Sequence, residues 1–315
     1  MAPRPASPSA RRRAINRLAA AGAGVVLAVA GLSLVWPRAD RVEARRELNS
    51  VADLAKVPSR PVTVLVIGSD AQRPADQTNG AAPLGPANSD ALLLLRVQPA
   101  GPLQLLEIPI EAAVQLPGQK RPQALGSLYR QGGVALVGDA VRELVQLPQG
   151  QPDRYVVLGR AALRSLIDGL GKLDVSPSRP IRYADRAQKL SIALDAGLQQ
   201  LDGQQVEQLV RYRDPAGGEE GRRQQQQQVL RALVRDLAQP DRLPLLTPLA
   251  RHMLGLIETN LSEGELLSLM AAGLSQPEAI DVTSLPLEPA DPRHKTMRQL
   301  AAADALPAAW RQPLP

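Results

Sequence analysis

The chain has 315 residues, 44% of them hydrophobic but only 2% aromatic, and it contains neither Phe nor Cys. The length suits one domain with appendages, and the lack of Cys excludes disulfides, thiolate metal sites and a cysteine nucleophile. Near the N-terminus lie Arg4, Arg11, Arg12, Arg13 and Arg17, without which the 37 basic residues fall to 32, against 31 acidic ones. The rest of the chain is therefore nearly neutral, and we predict no nucleic-acid partner, which would need cations clustered along the fold.

Residues 18–36 form a run of nineteen residues without a charge. As a helix this run would be about 28 Å long, close to the ~30 Å hydrocarbon core of a bilayer. The basic flank at 1–17 and the positive-inside rule predict a single-pass protein of the cytoplasmic membrane, with its N-terminus inside and its domain facing the periplasm or exterior. The alternative is a cleaved signal peptide, whose apolar region is usually shorter. In both cases the rest of the chain is exported.

For the rest of the chain we predict a stalk at 37–60, a folded domain at 61–240, and C-terminal helices with a partly ordered tail at 241–315. Apolar runs predict strands at 62–67, 91–97, 103–108, 155–158 and 190–194. Helical periodicity predicts helices at 133–147, 161–170, 202–210, 219–237, 252–257 and 266–274. Strands mixed with helices indicate an α/β fold, and the short turn at 99–102 makes two strands antiparallel, so the central sheet is predicted to be mixed and flanked by helices.

Two acidic residues flank the long loop between the first two predicted strands. Asp70 directly follows the first strand, and Asp90 directly precedes the second. If these strands pair antiparallel, both carboxylates lie at the same sheet edge. Because Mg²⁺ is usually held by one or two carboxylates together with substrate phosphate oxygens, the pair is a candidate metal site. The alternative is that both residues only cap strand ends and turns.

Arginines gather on both sides of a glycine-rich turn. Arg211 and Arg213 end one predicted helix, and Arg222 lies in the first turn of the next, with Gln226 one turn further on the same face. Guanidinium groups bind phosphate oxygens in bidentate fashion, and a helix N-terminus offers unpaired N–H groups to an anion. The cluster therefore suits a diphosphate. The alternative is a solvated face paired with Glu219, Glu220 and Asp214.

From Val62 to Pro240 the chain resembles the LytR-CpsA-Psr family of envelope phosphotransferases. The resemblance rests on the order of these segments: VTVLVIGSD (62–70), NSDALLLLRVQP (88–99), LLEIPIEAAVQLPG (105–118), DRYVVL (153–158), LIDGLGKLDV (166–175), LDGQQVEQLVRYRD (201–214) and GRRQQQQQVLRAL (221–233). The segment YADRAQKLSIALDAGLQQLDG (183–203) is similar to the cyanobacterial branch.

The resemblance implies a reaction and a role for each candidate residue. A glycopolymer moves from a polyprenyl-pyrophosphate carrier, held in a hydrophobic pocket between sheet and helices, to peptidoglycan or another envelope acceptor. Asp70 and Asp90 match the acids that position Mg²⁺, with Mn²⁺ as the alternative ion. The phosphate-binding residues are Arg211, Arg213, Arg222 and Gln226. The residues of the catalytic step are Asp90, Arg211, Arg213 and Glu111, the last as the base.

The chain departs from the family pattern at several charged positions. Residues that replace an expected Arg or Lys are Asn88, Ile110, Ala124 and Gln225, and Glu111 replaces an Asp. Each lost contact between Arg and phosphate would weaken transition-state binding by roughly 1.5–3 kcal/mol. Arg121 and Arg130 are nearby candidates to compensate. A non-catalytic protein that binds polyprenyl pyrophosphate is therefore the main alternative function, and a transcriptional attenuator is a weaker one.

Overall fold

The computed structural model describes residues 50–76, 85–186, 190–214, 217–289, 297–302 and 306–311. The predicted membrane helix at 18–36 lies outside these residues. Within the described ranges, no helix is both long enough and apolar enough to cross a bilayer.

The described residues form runs of consecutive strands separated by helices. The strands are β1 (Val62–Ser69), β2 (Ser89–Val97), β3 (Gln104–Glu107), β4 (Ala113–Val114), β5 (Gln123–Ala124), β6 (Arg154–Leu158), β7 (Leu173–Val175), β8 (Ile181–Asp185), β9 (Leu190–Leu194), β10 (Gln199–Leu201), β11 (Glu258–Thr259) and β12 (Asp281–Ser284). The α-helices are α1 (Tyr129–Val145), α2 (Arg160–Gly169), α3 (Gly203–Arg211), α4 (Gly218–Leu237), α5 (Leu243–Leu254), α6 (Glu263–Gly273) and α7 (Ala308–Arg311).

The central sheet has six strands in the order β11-β6-β1-β2-β3-β12. β1 pairs antiparallel with β2 and parallel with β6, while β3 pairs antiparallel with β2 and parallel with β12. The prediction of a mixed central sheet flanked by helices is therefore confirmed. This topology brings the carboxyl ends of β1, β3 and β6 and the amino end of β2 to one edge of the sheet.

The two faces of the sheet have different partners because successive strand residues point to opposite sides. Leu65 of β1 and Leu94 of β2 are fully buried in a core that includes Val141 of α1. The residues next to them, Val66 and Leu93, line a cavity on the other face, beneath α2, α3 and α4. The helices on that face thus enclose a space rather than a continuous core.

The helix that carries Arg211 begins where the sequence predicts. Oδ1 of Asp202 accepts a hydrogen bond from the backbone N of Gln205 at 2.8 Å, which satisfies an otherwise unpaired donor of the first turn. α3 packs tightly on α2 because residue 203 is glycine: a Cβ there would lie 2.7 Å from Cα of Arg164. Asp202 thus determines where α3 begins, and Gly203 determines how closely α3 packs on α2.

The C-terminal part of the chain differs from prediction. The helix expected at 252–257 instead runs from Leu243 to Leu254, and α6 agrees with the helix expected at 266–274 to within a few residues. Two unpredicted strands, β11 and β12, form the outer edges of the central sheet. They have two and four residues and take their strand conformation from pairing with β6 and β3, so their own sequences carry little signal.

Candidate functional site

Charged side chains collect at the sheet edge where β1, β3 and β6 end and β2 begins. Asp70 follows β1, Asp90 is the second residue of β2, Glu107 ends β3, and Arg160 follows β6 after one glycine. In α/β sheets this carboxyl edge is the usual place for a ligand crevice. The antiparallel β1–β2 pair therefore brings Asp70 and Asp90 to the same edge, as the sequence predicts.

The two aspartates are held by a local irregularity in the β1–β2 ladder. Gly68 pairs with Ala91 but Ser69 pairs with Ser89, so Asp90 is the extra residue of a bulge. Bulges redirect side chains next to functional sites. The Oδ1 atom of Asp70 accepts a hydrogen bond from the backbone N of Asn88 at 2.9 Å. Burial, followed by the neighbouring charge of Asp90, raises the pKa of Asp70 despite this hydrogen bond.

Arg222 is almost wholly buried at the start of α4, with its side chain 4% exposed. Its Nη1 lies 3.8 Å from Oδ1 of Asp90, and its Nη2 lies 2.6 Å from Oε2 of Glu219. Its Nε has no hydrogen-bond partner within the described residues. A buried guanidinium with an unused donor, facing a cavity, is suited to bind an additional anion.

The other predicted phosphate-binding residues differ from one another in burial and in the groups they contact. Arg211 is mostly buried, and its Nη1 lies 3.1 Å from Oε1 of Glu207. Gln226 donates from Nε2 to the carbonyl oxygen of Val210 at 3.1 Å and so ties α4 to α3. Arg213 is 55% exposed, outside the cavity lining, with its Nε 2.9 Å from Oε1 of Glu219. The alternative of a solvated arginine face therefore fits Arg213 but not Arg222.

A cavity of about 350 Å³ lies between the central sheet and α2, α3 and α4. Its aliphatic lining includes Val66, Leu93, Leu105, Leu163, Leu230 and Leu233. Charged side chains at the strand ends also line it, and among them are Asp70, Asp90, Glu111, Arg211 and Arg222. Six of the seven predicted site residues, all except Arg213, therefore line one cavity that is apolar inside and charged at its mouth.

Glu111, the predicted base, belongs to a group of three acids around Arg223, of which Glu107 is buried, Glu111 mostly buried and Glu220 exposed. Arg223 is hydrogen-bonded to Glu111 and to Glu220, and its Nε lies 3.7 Å from Oε1 of Glu107. Oε2 of Glu107 accepts a hydrogen bond from Nε2 of Gln227 at 2.6 Å, but burial still raises the pKa of Glu107. Oε2 of Glu111 has no hydrogen-bond partner in the described part of the chain, which leaves one carboxylate oxygen open.

The two arginines predicted to compensate for the replaced family residues lie outside the cavity, and two other arginines line it. Arg121 and Arg130 are exposed and do not line the cavity, whereas Arg160 and Arg223 do. Arg223 stands next to Arg222, so its position at a helix start is a sequence signal for it. Arg160 has no such signal, because it reaches the edge where Asp70 lies only through the parallel pairing of β6 with β1.

A metal ion at the mouth of the cavity would have few protein ligands. Among the described residues, no group of three or more His, Asp or Glu side chains could hold a metal ion. The candidate site thus consists of the Asp70 and Asp90 carboxylates, and further ligands would have to come from a substrate or water.

The model of the LytR_cpsA_psr family matches residues 38–308 of this chain. The Corynebacterium glutamicum "Probable cell wall biosynthesis protein LcpB" is 26% identical over 241 residues, covering 74% of this chain and 56% of the relative. The Bacillus subtilis "Polyisoprenyl-teichoic acid--peptidoglycan teichoic acid transferase TagV" is 24% identical over 244 residues, which cover 75% of this chain and 59% of the relative. The matched part thus spans little more than half the length of these relatives.

Solved structures share the fold at low sequence identity. The crystal structure of B. subtilis TagV superposes with a TM-score of 0.64 at 22% identity, covering 79% of this chain and 94% of that chain. A LytR-Csp2A-Psr enzyme from Actinomyces oris gives a TM-score of 0.59 at 19% identity, and the match covers 79% of this chain and 92% of that chain. The arrangement of sheet and helices around the cavity is therefore that of a known fold.

Proposed function

The chain belongs to the LytR-CpsA-Psr family, and from this premise we propose that it is a cell-envelope phosphotransferase. It moves a glycopolymer from a polyprenyl-pyrophosphate carrier to peptidoglycan or another envelope acceptor. Relatives that are named as teichoic acid transferases support this reaction class.

The observation that carries the proposal is the two-part character of the cavity. A polyprenyl chain is apolar, and its diphosphate is highly charged, so a carrier needs an aliphatic space that opens directly on cations. Leu93, Leu105 and Leu230 supply the aliphatic space, and Arg211 and Arg222 supply cations at its mouth. Burial of the prenyl chain favours binding by about 25 cal/mol per Å² of apolar surface removed from water.

The acid pair fits a magnesium ion that is shared with the substrate. Asp70 and Asp90 offer only oxygen ligands, the kind that Mg²⁺ prefers, with Mn²⁺ as the alternative ion. Their like charges raise the pKa of Asp70, after the larger effect of burial, and a cation between them would relieve that repulsion. When bound, the ion would neutralise charge on the diphosphate oxygens.

The protein groups then act mainly by position and charge. Arg211 and Arg222 bind the phosphate oxygens and stabilise charge that develops as the bond to the polyprenyl phosphate breaks. The acceptor hydroxyl attacks the phosphorus linked to the sugar, a new O–P bond forms, and polyprenyl phosphate leaves. The hydroxyl proton passes to Glu111, whose Oε2 has no other hydrogen-bond partner within the described residues.

A transfer assay tests this function. Full-length protein in detergent is mixed with a polyprenyl-pyrophosphate-linked glycan, peptidoglycan and Mg²⁺, and the glycan that becomes attached is measured. We expect transfer by the wild type and a loss of at least about a hundredfold in Asp90→Ala. Asp139→Ala, which removes an exposed acid on α1 across the sheet, should keep full activity. Equal transfer by both variants would contradict the assignment.

A second candidate is a protein that binds the carrier without catalysis. The replacements Asn88, Ile110, Ala124 and Gln225 favour it, as does the bond between Arg223 and the predicted base Glu111. If this candidate is right, the wild type in the same assay binds the polyprenyl-pyrophosphate-linked glycan but transfers no glycan to peptidoglycan.

We also propose that residues 18–36 anchor the protein in the cytoplasmic membrane with its domain outside. The uncharged length of that segment and the basic residues before it support this topology. Protease added to intact spheroplasts should then digest the domain. A domain that is cleaved only after lysis would contradict the proposed orientation.

A further inference from the structure

Three arginines converge on one buried carboxylate at the mouth of the cavity. Glu207 of α3 has a side chain that is 7% exposed, and its oxygens lie 3.5 Å from Nη1 of Arg160, 2.7 Å from Nε of Arg164 and 3.1 Å from Nη1 of Arg211. Three positive charges and one negative charge leave these four side chains with an excess of +2. Such an excess in a half-buried place favours an anion.

Two of the three arginines face the cavity. Arg160 and Arg211 belong to its lining, whereas Arg164 does not. Nη2 of Arg164 instead donates to Oε1 of Gln72 at 2.9 Å. The Nε of Arg160 donates to the carbonyl oxygen of Asp70 at 3.0 Å, so its guanidinium contacts both the backbone after β1 and Glu207.

The backbone around Arg160 fixes its position. The backbone N of Arg160 donates to the carbonyl oxygen of Ala71 at 2.9 Å, and that of Ala161 to the carbonyl oxygen of Gln72 at 3.0 Å. This close approach requires glycine at position 159, where a Cβ would lie 2.7 Å from the oxygen of Gln72. The first turn of α2 is thus anchored to the loop that follows β1.

The opposite side of the mouth has the reverse charge balance. There Arg223 contacts the three acids Glu107, Glu111 and Glu220, and Nη1 of Arg298 lies 4.0 Å from Oε1 of Glu111, so two cations face three acids. A diphosphate entering the mouth would be repelled by this side and attracted to the side of α2 and α3.

We propose that Arg160 and Arg211, held side by side by Glu207, form a phosphate subsite that binds one phosphate of the carrier diphosphate. Arg160 is then a phosphate-binding residue, and Glu207 is the positioning residue that orients both guanidinium groups. The inference rests on the proposed function, because it assigns a place to that diphosphate.

The test compares Arg160 with Arg164, which shares Glu207 but does not line the cavity. The dissociation constant of farnesyl pyrophosphate is measured by calorimetry for full-length protein in detergent with Mg²⁺, in the wild type, Arg160→Gln and Arg164→Gln. Loss of charge-assisted hydrogen bonds should weaken binding about ten- to hundredfold in Arg160→Gln. The change in Arg164→Gln should stay within about threefold.

A third variant, together with thermal unfolding of every variant, separates a loss of binding from a loss of folding. Arg160→Lys keeps the charge but not the planar fork, and we expect binding several-fold weaker than in the wild type. If Arg160→Gln does not fold, this variant decides the matter, and unchanged affinity in it would overturn the subsite. Equal effects of Arg160→Gln and Arg164→Gln would also overturn it. A wild type that does not bind farnesyl pyrophosphate would instead contradict the proposed function itself.

Discussion

The ionisation of Asp70 depends on Asp90, and this coupling can be measured. Burial is the largest cause of the raised pKa of Asp70, and the charge of Asp90 adds to it. Because the folded-state pKa lies above the unfolded value, ionisation of Asp70 lowers the stability of the fold as the pH rises through that range. Any cation that needs this carboxylate ionised should bind less well as the pH falls.

We predict that Asp90→Asn lowers the pKa of Asp70 towards its ordinary value without fully restoring it, since burial remains. Titration of the Asp70 carboxyl carbon by NMR would measure the change, with Asp139→Asn as the control. An unchanged pKa in Asp90→Asn would mean that the two carboxylates are too far apart to share a cation.

Single residues were predictable from sequence when a local rule placed them. Asp70 and Asp90 adjoin apolar strand runs, and Arg222 stands at a helix start, so each could be assigned to an edge or a terminus. The sequence does not predict Arg160, because its position depends on the parallel pairing of β6 with β1, and no local sequence pattern indicates that pairing. Arg213 was expected with the others because it is two residues from Arg211, but the chain has left α3 there and the side chain lies outside the cavity.

At the scale of elements, the contact between α2 and α3 sets the positions of Glu207 and Arg211. A Cβ at residue 203 would lie 2.7 Å from Cα of Arg164, so the two backbones cannot stay at this distance if residue 203 has a side chain. We predict that Gly203→Ala destabilises the fold by about 1–3 kcal/mol and weakens binding of farnesyl pyrophosphate. Denaturant unfolding and calorimetry would measure both effects.

The matched control is Gly264→Ala in the first turn of α6. A Cβ there meets no atom within 4 Å among the described residues. This change should leave binding unaltered and raise stability by up to about 1 kcal/mol, because alanine favours helix. If Gly203→Ala behaved in the same way, the close packing of α2 on α3 would not control the site.

Glu265 joins the start of α6 to β6 and makes this contact depend on pH. A hydrogen bond from the backbone of Ser262, followed by one from the Arg154 side chain, lowers the pKa of Glu265 from 4.5 to about 2. The folded-state pKa is thus below the unfolded value, so the stabilisation is complete above about pH 4.5 and is lost as the pH falls to about 2.

We predict that Glu265→Gln lowers the free energy of unfolding by about 1 kcal/mol at neutral pH, a value reduced because the carboxylate is partly exposed to solvent. The difference from the wild type should shrink as the pH falls below about 4.5 and be mostly gone at pH 2, where about half of the folded molecules carry a protonated Glu265. Unfolding in urea at several pH values would measure it, and a difference that is constant with pH would contradict the assignment.

Elements were predictable when they buried a long apolar face of their own. β1, β2 and α4 have such faces, and their predicted limits agree with the observed ones to within two residues. β11 and β12 have two and four residues and exist because β6 and β3 offer open edges, so only the assembled sheet defines them.

At the scale of the whole molecule, the C-terminal helix α7 is attached to the central sheet. Trp310 is 3% exposed, its ring lies 4.2 Å from the guanidinium carbon of the buried Arg96, and Arg96 also donates to the carbonyl oxygen of Ala309. Trp310 belongs to the same core as Leu94 and Val141, on the sheet face opposite the cavity. The helix α7 thus packs on the α1 side of the sheet.

We predict that Trp310→Ala lowers the free energy of unfolding by about 3–5 kcal/mol, because it removes a buried ring and leaves Arg96 without its aromatic partner. Since the cavity lies on the other face, the affinity for farnesyl pyrophosphate at low temperature should hardly change. Denaturant unfolding would measure the loss. A loss below about 1 kcal/mol would show that α7 does not belong to the cooperative unit.

We propose that one cavity holds both the apolar chain and the diphosphate of a lipid carrier. The decisive measurement is a crystal structure of the folded domain, from about residue 60 onward, with farnesyl pyrophosphate and Mg²⁺. We predict a prenyl chain against Leu93 and Leu230, with the diphosphate between the Asp70–Asp90 pair and Arg160, Arg211 and Arg222. A ligand bound elsewhere, or a prenyl chain outside this cavity, would contradict the account.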